Sequence, residues 1–124
     1  MTTRLIISGR FPSLNEYIAA TKKQKGNWNA GNSMKRRDQN EICRMIPRGL
    51  KFKKPIFIEY NFFEPNTRRD KDNICGYFHK IFQDALIQAG CIPDDGWKAI
   101  NGMADYFDID RAYPRIEVVI EEIG

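Results

Sequence analysis

The most regular pattern of apolar and polar positions lies in residues 73–89. Ile74, Tyr77, Phe78, Ile81, Phe82, Ala85 and Ala89 recur at steps of three and four, which makes one wide apolar stripe on a helix. Asp72 is placed to cap its start, and Gly90 suits the left-handed backbone that ends it. Pro55–Phe63, rich in β-branched and aromatic residues, predicts the strongest strand. Two more strands are expected near Ala99–Asp108 and Arg115–Glu122. In the second, Ile116, Val118 and Ile120 alternate with Glu117, Val119 and Glu121. Asp110 and Pro114 supply the turn between them. Arg4–Ser8 reads as a short first strand ended by Gly9 and Pro12, and Ser13 or Asn15 can cap a helical segment through Ala20. Met34–Ile46 predicts a second helix, stopped by Pro47 and Gly49. Between them, residues 21–33 hold Gly26 and Gly31 and no apolar period, so a surface loop that orders on a partner is expected. The sum is one mixed α/β (α+β) domain over 1–124, with about four strands in a mixed sheet and two or three helices.

Composition narrows the class. At 124 residues, 42% hydrophobic and 12% aromatic, the chain has apolar area enough for a core, which excludes a disordered tail. Apolar runs fall far short of the roughly 20 residues a membrane span needs. The first residues lack a signal peptide's apolar region. A soluble, cytoplasmic protein is expected. Cys43, Cys75 and Cys91 are odd in number and form no CxxC pair, against a disulfide scaffold or a zinc ribbon.

Charge is unevenly spread. Residues 1–54 hold 13 Lys/Arg and 3 Asp/Glu, a balance of +10, while residues 55–124 hold 7 and 13, a balance of −6. The cations cluster at Lys22, Lys23 and Lys25, at Lys35, Arg36 and Arg37, and at Lys51, Lys53 and Lys54. Trp28 and four asparagines lie between or beside these clusters. Such a mixture suits a phosphate backbone, although a solvated basic surface has the same composition.

The acidic half has two notable clusters. Arg68-Arg69-Asp70-Lys71-Asp72-Asn73 stands between the best strand and the best helix. In extended backbone Asp70 and Asp72 point the same way, and a helix N-terminus or a hard cation such as Mg²⁺ tolerates the pair. Arg68 and Arg69 fit a neighbouring phosphate. Simple capping with a polar turn is the competing reading. A calcium loop is excluded, because Ile74 and Cys75 stand where that loop needs a ligand and a glycine. Asp94-Asp95 follows the helix within Pro93-Asp94-Asp95-Gly96, which by itself is also an ordinary turn.

Taken together, Arg-Arg-Asp-x-Asp-Asn, a helix containing Asp84-Ala85-Leu86 and closing at Ala89-Gly90, and then Asp94-Asp95 resemble the RusA family of Holliday junction endonucleases, including its phage and prophage members. The resemblance covers residues 68–95, with a fainter likeness at Pro12-Ser13-x-Asn15. It implies a homodimer acting on branched DNA (the four-way junction) with Mg²⁺, for which Mn²⁺ can substitute. By position, the family's catalytic, metal-binding aspartates fall on Asp70, Asp72 and Asp95, and its catalytic lysine on Lys80. Independently of the resemblance, the charge clusters make Lys22, Lys23, Lys25, Lys35, Arg36, Arg37, Arg68 and Arg69 the expected DNA-binding cations.

Geometry adds two expectations. Lys80 stands eight residues past Asp72, roughly 80° around and 12 Å along a helix, so Lys71 or Lys98 are alternatives for its role. A helix over 73–89 is about 25 Å long, and residues 90–95 recover at most roughly 20 Å. Asp95 therefore meets Asp72 within one protomer only if 90–95 runs straight back, which is the expected course. A kink near Gly76 or a contribution from a partner subunit are the alternatives. His79 is assigned a packing or surface role, and Asp105, Asp108 and Asp110 are expected to edge a strand and its turn, with extension of an acidic groove as the alternative. Trp97 is expected in the core, and Trp28 in the loop, where it can stack on a base. A non-catalytic nucleic-acid-binding module, or a metal-dependent phosphodiesterase for other branched DNA or RNA, remain the alternative functions.

Overall fold

The computed structural model describes residues 2–124 as one mixed α+β domain. Strand β1 (Thr2–Ser8) leads to helix α1 (Leu14–Thr21), a hairpin of β2 (Gln24–Lys25) and β3 (Trp28–Asn29), and helix α2 (Ala30–Met45). Strand β4 (Ile56–Glu64), helix α3 (Lys71–Gln88) and strands β5 (Ile100–Ile109) and β6 (Arg115–Glu122) complete it. The four long strands form one sheet in the order β1-β6-β4-β5, with β4 and β5 parallel and the other pairs antiparallel.

Strict alternation in β4 sets the layers. Ile56, Ile58, Tyr60, Phe62 and Glu64 are buried, while the residues between them are only half-buried. Leu5, Ile7, Ile116, Val118 and Ile120 share the inner face through the antiparallel registers. Against it pack Ile42 of α2 and Ile74, Tyr77, Phe78, Ile81, Phe82 and Ala85 of α3, the stripe expected from the sequence, joined by Leu86, whereas Ala89, also expected in the stripe, is exposed. Phe78 and Phe82 meet Tyr60 edge-on at 6.0 and 5.7 Å between ring centroids, arrangements aromatic rings favour. Among the described residues no helix is long and apolar enough to cross a membrane.

Local signals explain the short elements. Ser13 caps α1 in a capping box, accepting from Glu16 N while Glu16 Oε1 accepts from Ser13 N. Residues 21–33 are not an irregular loop. Gly26, at φ +59°, turns the β2–β3 hairpin, and Asn29 caps α2, which starts four residues before its apolar pattern begins at Met34. Helix α3 runs unbroken through Gly76, where an added Cβ would stand 3.0 Å from Leu14, so that glycine admits α1 rather than kinking α3.

Candidate functional site

The β4–α3–β5 unit brings the carboxyl ends of two parallel strands beside a helix N-terminus, the place where open α/β sheets bind ligands. A cleft of about 720 Å³ opens there, lined by Asn66, Thr67, Asp70, Lys71, Asp72 and Phe107 among others. Asp70, not Asp72, occupies the N-cap of α3, because the Ile74 N–H already donates to the Asp70 carbonyl at 3.0 Å. The Asp70 backbone is extended, at φ −70° and ψ 153°, yet its side chain makes no capping bond. Asp72 lies in the first turn, where Oδ1 accepts from Asn73 N at 2.9 Å. The two aspartates thus share a cleft through the start of a helix, not through the alternation of a strand.

A clamp around the buried Glu64 fixes this corner. Arg69 donates from Nε and Nη2 to the two oxygens of Glu64 at 3.1 and 3.0 Å, and from Nη1 to the Phe11 carbonyl at 2.8 Å. Arg10 donates to Glu64 Oε1 at 2.9 Å. Arg69 therefore ties the start of α3 to the end of β4, which corrects its expected place among free phosphate-binding cations. Arg68, by contrast, is exposed. Lys71 Nζ lies 5.8 Å from the centroid of the Phe107 ring, at the cleft.

Asp95 is elsewhere, and the expected straight return of residues 90–95 does not occur. Gly90 ends α3 at φ +79°, Cys91 and Ile92 are buried, and Phe52 N donates to the Cys91 carbonyl at 2.9 Å. Asp94 Oδ1 accepts from Gly96 N at 2.8 Å, and Ile100 N donates to the Gly96 carbonyl at 3.0 Å. These bonds hold Asp95 at the amino ends of β4 and β5, one strand length from the cleft, a distance of roughly 25 Å. Within one protomer the structure brings Asp70 and Asp72 together and excludes Asp95. Lys80 is exposed on α3 and does not line the cleft. Asp84 of the Asp-Ala-Leu signature pairs with Lys35 at 2.7 Å.

The cations of the hairpin and α2 do not line the cleft. Lys22, Lys23 and Lys25 are exposed at the hairpin with Trp28, which is 55% exposed. Arg36 and Arg37 are exposed on α2, although Arg37 Nε also donates to the buried Asp38 at 3.2 Å. Trp97, expected in the core, is 99% exposed on the turn beside Asp95.

One constellation has no counterpart among the expected site residues. Cys75, His79 and Asp105 each place a ligand atom within 4.8 Å of the others, the group of three that does so among the described residues. His79 Nε2 lies 2.6 Å from Asp105 Oδ1, so the histidine joins helix to edge strand rather than merely packing. Burial, reinforced by the charge of Asp105, pushes the Cys75 thiol above its ordinary pKa. The spacing of Cys75 and His79, four residues apart on a helix, was visible in the sequence, but Asp105 reaches them only through the parallel register that pairs it with Tyr60. No protein-family model matches the chain, and no curated protein matches its sequence.

Proposed function

We propose that this protein is a Mg²⁺-dependent, structure-selective DNA endonuclease that acts as a homodimer on four-way junctions. The observation that carries the reading is the Asp70 side chain. It sits at a helix N-cap without capping, and with Asp72 and Lys71 it lines a cleft at the carboxyl ends of two parallel strands. A capping aspartate is ordinarily held by the free N–H groups of its helix, so an unbonded one beside a second carboxylate has its oxygens available to a ligand. The resemblance of residues 68–95 to the RusA family names the chemistry, and the basic hairpin supplies a surface for the DNA backbone.

The donor set fits a hard cation. Mg²⁺ takes one or two carboxylates and retains several waters, and Asp70 and Asp72 offer that number, with Asn66 and Thr67 beside them. When bound, the ion acidifies a water and neutralises charge on the leaving oxygen. The protein's own groups do the rest. Asp70 and Asp72 hold the ion, and the Glu64–Arg69–Phe11 clamp keeps the start of α3 in register with β4. Lys71 is the cation placed to stabilise the phosphate, in the role that resemblance assigns to Lys80. Lys22, Lys23, Lys25 and Arg36 bind backbone phosphates away from the reaction, and Arg68, between the cleft-lining Thr67 and Arg69, binds one beside it. Asp95 can contribute only from the partner subunit of a dimer, since its own cleft is out of reach.

The test is a panel of four-way, Y-shaped and linear duplexes incubated with Mg²⁺ or Mn²⁺, with Asp70→Asn alongside. The expected result is cutting of the four-way junction that the variant loses by about 100-fold or more, while junction binding is retained; a 100-fold loss corresponds to about 2.7 kcal/mol of transition-state stabilisation. Binding without cutting by the parent chain would reduce the protein to a nucleic-acid-binding module. Preference for Y-shaped substrates would move it to another class of branched-DNA nuclease.

A further inference from the structure

Helix α3 carries a second ligand-bearing group one turn below Asp72. Cys75 and His79 are four residues apart and so project from the same helix face. Asp105, on the edge strand β5, meets them because the parallel register seats it beside Tyr60, whose ring lies 4.6 Å from that of His79. All three side chains are half-buried. His79 Nε2 and Asp105 Oδ1 are already 2.6 Å apart, and all three ligand atoms lie within 4.8 Å of one another. A tetrahedral zinc ion with ligands at about 2.0–2.3 Å needs its donor atoms some 3.5 Å from each other. The His79–Asp105 pair therefore has to open by about 1 Å while the thiol closes in, a change within the reach of side-chain rotation.

We propose that Cys75, His79 and Asp105 form a binding site for a borderline transition-metal ion, Zn²⁺ above all, with three protein ligands and one outward position open to water or another ligand. Donor chemistry makes the choice. One thiolate, one imidazole and one carboxylate suit Zn²⁺, whereas Mg²⁺ does not take thiolate or imidazole in competition with oxygen. The other two cysteines lack such partners among the described residues. Cys43 Sγ donates to the Ala85 carbonyl at 3.4 Å, and Cys91 is buried at the far end of α3. The Cys75 site adjoins the cleft, with Sγ 3.8 Å from the Asp72 carbonyl oxygen, but it uses none of the oxygens assigned to Mg²⁺. An ion there cross-links α3 to β5, a strand paired on one side only. This inference does not depend on the nuclease reading.

The experiment is titration of the metal-stripped full-length chain with Co²⁺, followed by displacement with Zn²⁺. One equivalent of Co²⁺ is expected to give a thiolate-to-cobalt charge-transfer band that Zn²⁺ removes and millimolar Mg²⁺ does not. Cys75→Ser is expected to abolish the band, and Asp105→Asn and His79→Gln to weaken Zn²⁺ binding at least tenfold. Cys43→Ser and Asp70→Asn are expected to leave it unchanged. A wild-type chain without the band, or a band that survives Cys75→Ser, overturns the proposal. Alkylation of the unaltered chain, mapped by mass spectrometry, gives a readout that needs no variant to fold. Zn²⁺ is expected to slow alkylation of Cys75 at least tenfold and of Cys43 not at all, and a Cys75 rate that Zn²⁺ leaves unchanged would also overturn the site.

Discussion

The two ends of α3 carry the same kind of residue under opposite constraints. At the amino end, Asp70 makes no capping bond and Asp72 accepts only from its own neighbour, and both face a cleft built by two strand ends and a clamped arginine. At the carboxyl end, Asp94 is used up in the Gly96 turn, and Asp95 stands exposed beside Trp97. The sequence signature treats Asp70, Asp72 and Asp95 alike. The fold does not, because α3 separates them by its own length, about 27 Å for eighteen residues. A carboxylate is poised for chemistry by what surrounds it and by what leaves it unbonded, rather than by membership in a motif.

The largest expected effect comes from the clamp that builds the amino end. Glu64 is buried, with 6% of its side chain exposed, and its charge is met by Arg69 and Arg10. Arg69→Ala leaves a buried carboxylate short of its main partner, and the loss is expected to be about 3 kcal/mol of folding stability, measured by urea denaturation. Arg69→Lys should recover only part of it, since an ammonium cannot make the paired guanidinium contact. A loss below about 1 kcal/mol would show that the cleft is not held by this clamp.

Next comes the direct contrast between the ends. Asp72→Asn is expected to lower Mg²⁺-dependent junction cleavage by about 100-fold, and Asp95→Asn by less than threefold, a gap of about 2 kcal/mol between two changes of equal chemistry. If Asp95→Asn is as damaging as Asp72→Asn, mixing the two inactive proteins decides the reason. Restored cutting in the mixture would place Asp95 in the partner's cleft.

How far this contrast could be read in advance depended on the range of each signal. Strand β4 and helix α3 were legible because their periods are local, two residues and three to four. The Asp70–Asp72 pair was legible as a unit because two residues cannot separate far. The β2–β3 hairpin was not, since four strand residues have no apolar period and only Gly26 marks the turn. Asp95 was misplaced because its position depends on where residues 90–95 are anchored. Burial of Cys91 and Ile92 against the entrance of β4 settles that, and it is a long-range fact. The Cys75–His79–Asp105 group was illegible for the same reason, its third member arriving from another strand.

Acid should weaken the carboxylate network around Arg115. Glu117 is held below the ordinary glutamate range chiefly by the Arg115 guanidinium, whose Nε donates to it at 2.6 Å, and Arg115 likewise lowers Asp110. Arg115 also lies 3.9 Å over the Phe63 ring, at the cleft end of β4. A carboxylate with a depressed folded pKa stabilises the fold above its unfolded pKa and loses that contribution as pH falls through the folded value. Thermal melts are therefore expected to drop below the usual carboxylate range, and Glu117→Gln should flatten that drop. An unchanged acid limb in the variant would show that this network does not govern acid stability.

The smallest effect is reserved for the carboxyl end. Trp97 is 99% exposed, so Trp97→Ala is expected to change stability by less than about 0.5 kcal/mol and to leave cleavage untouched. Its use is spectroscopic, because the variant leaves Trp28 as the sole tryptophan, beside Lys25 in the basic hairpin. Stacking of a base on that ring should quench its emission when junction DNA is added, and the quench should fade with salt as the lysines are screened from the phosphates. Lys22→Ala, Lys23→Ala and Lys25→Ala together should reduce the salt slope of binding by about 0.9 for each phosphate that is no longer neutralised. If Trp28 emission ignores the DNA and the slope is unmoved, the hairpin is not the surface that meets the backbone, and the division of labour between a binding hairpin and an acidic cleft would have to be redrawn around α2.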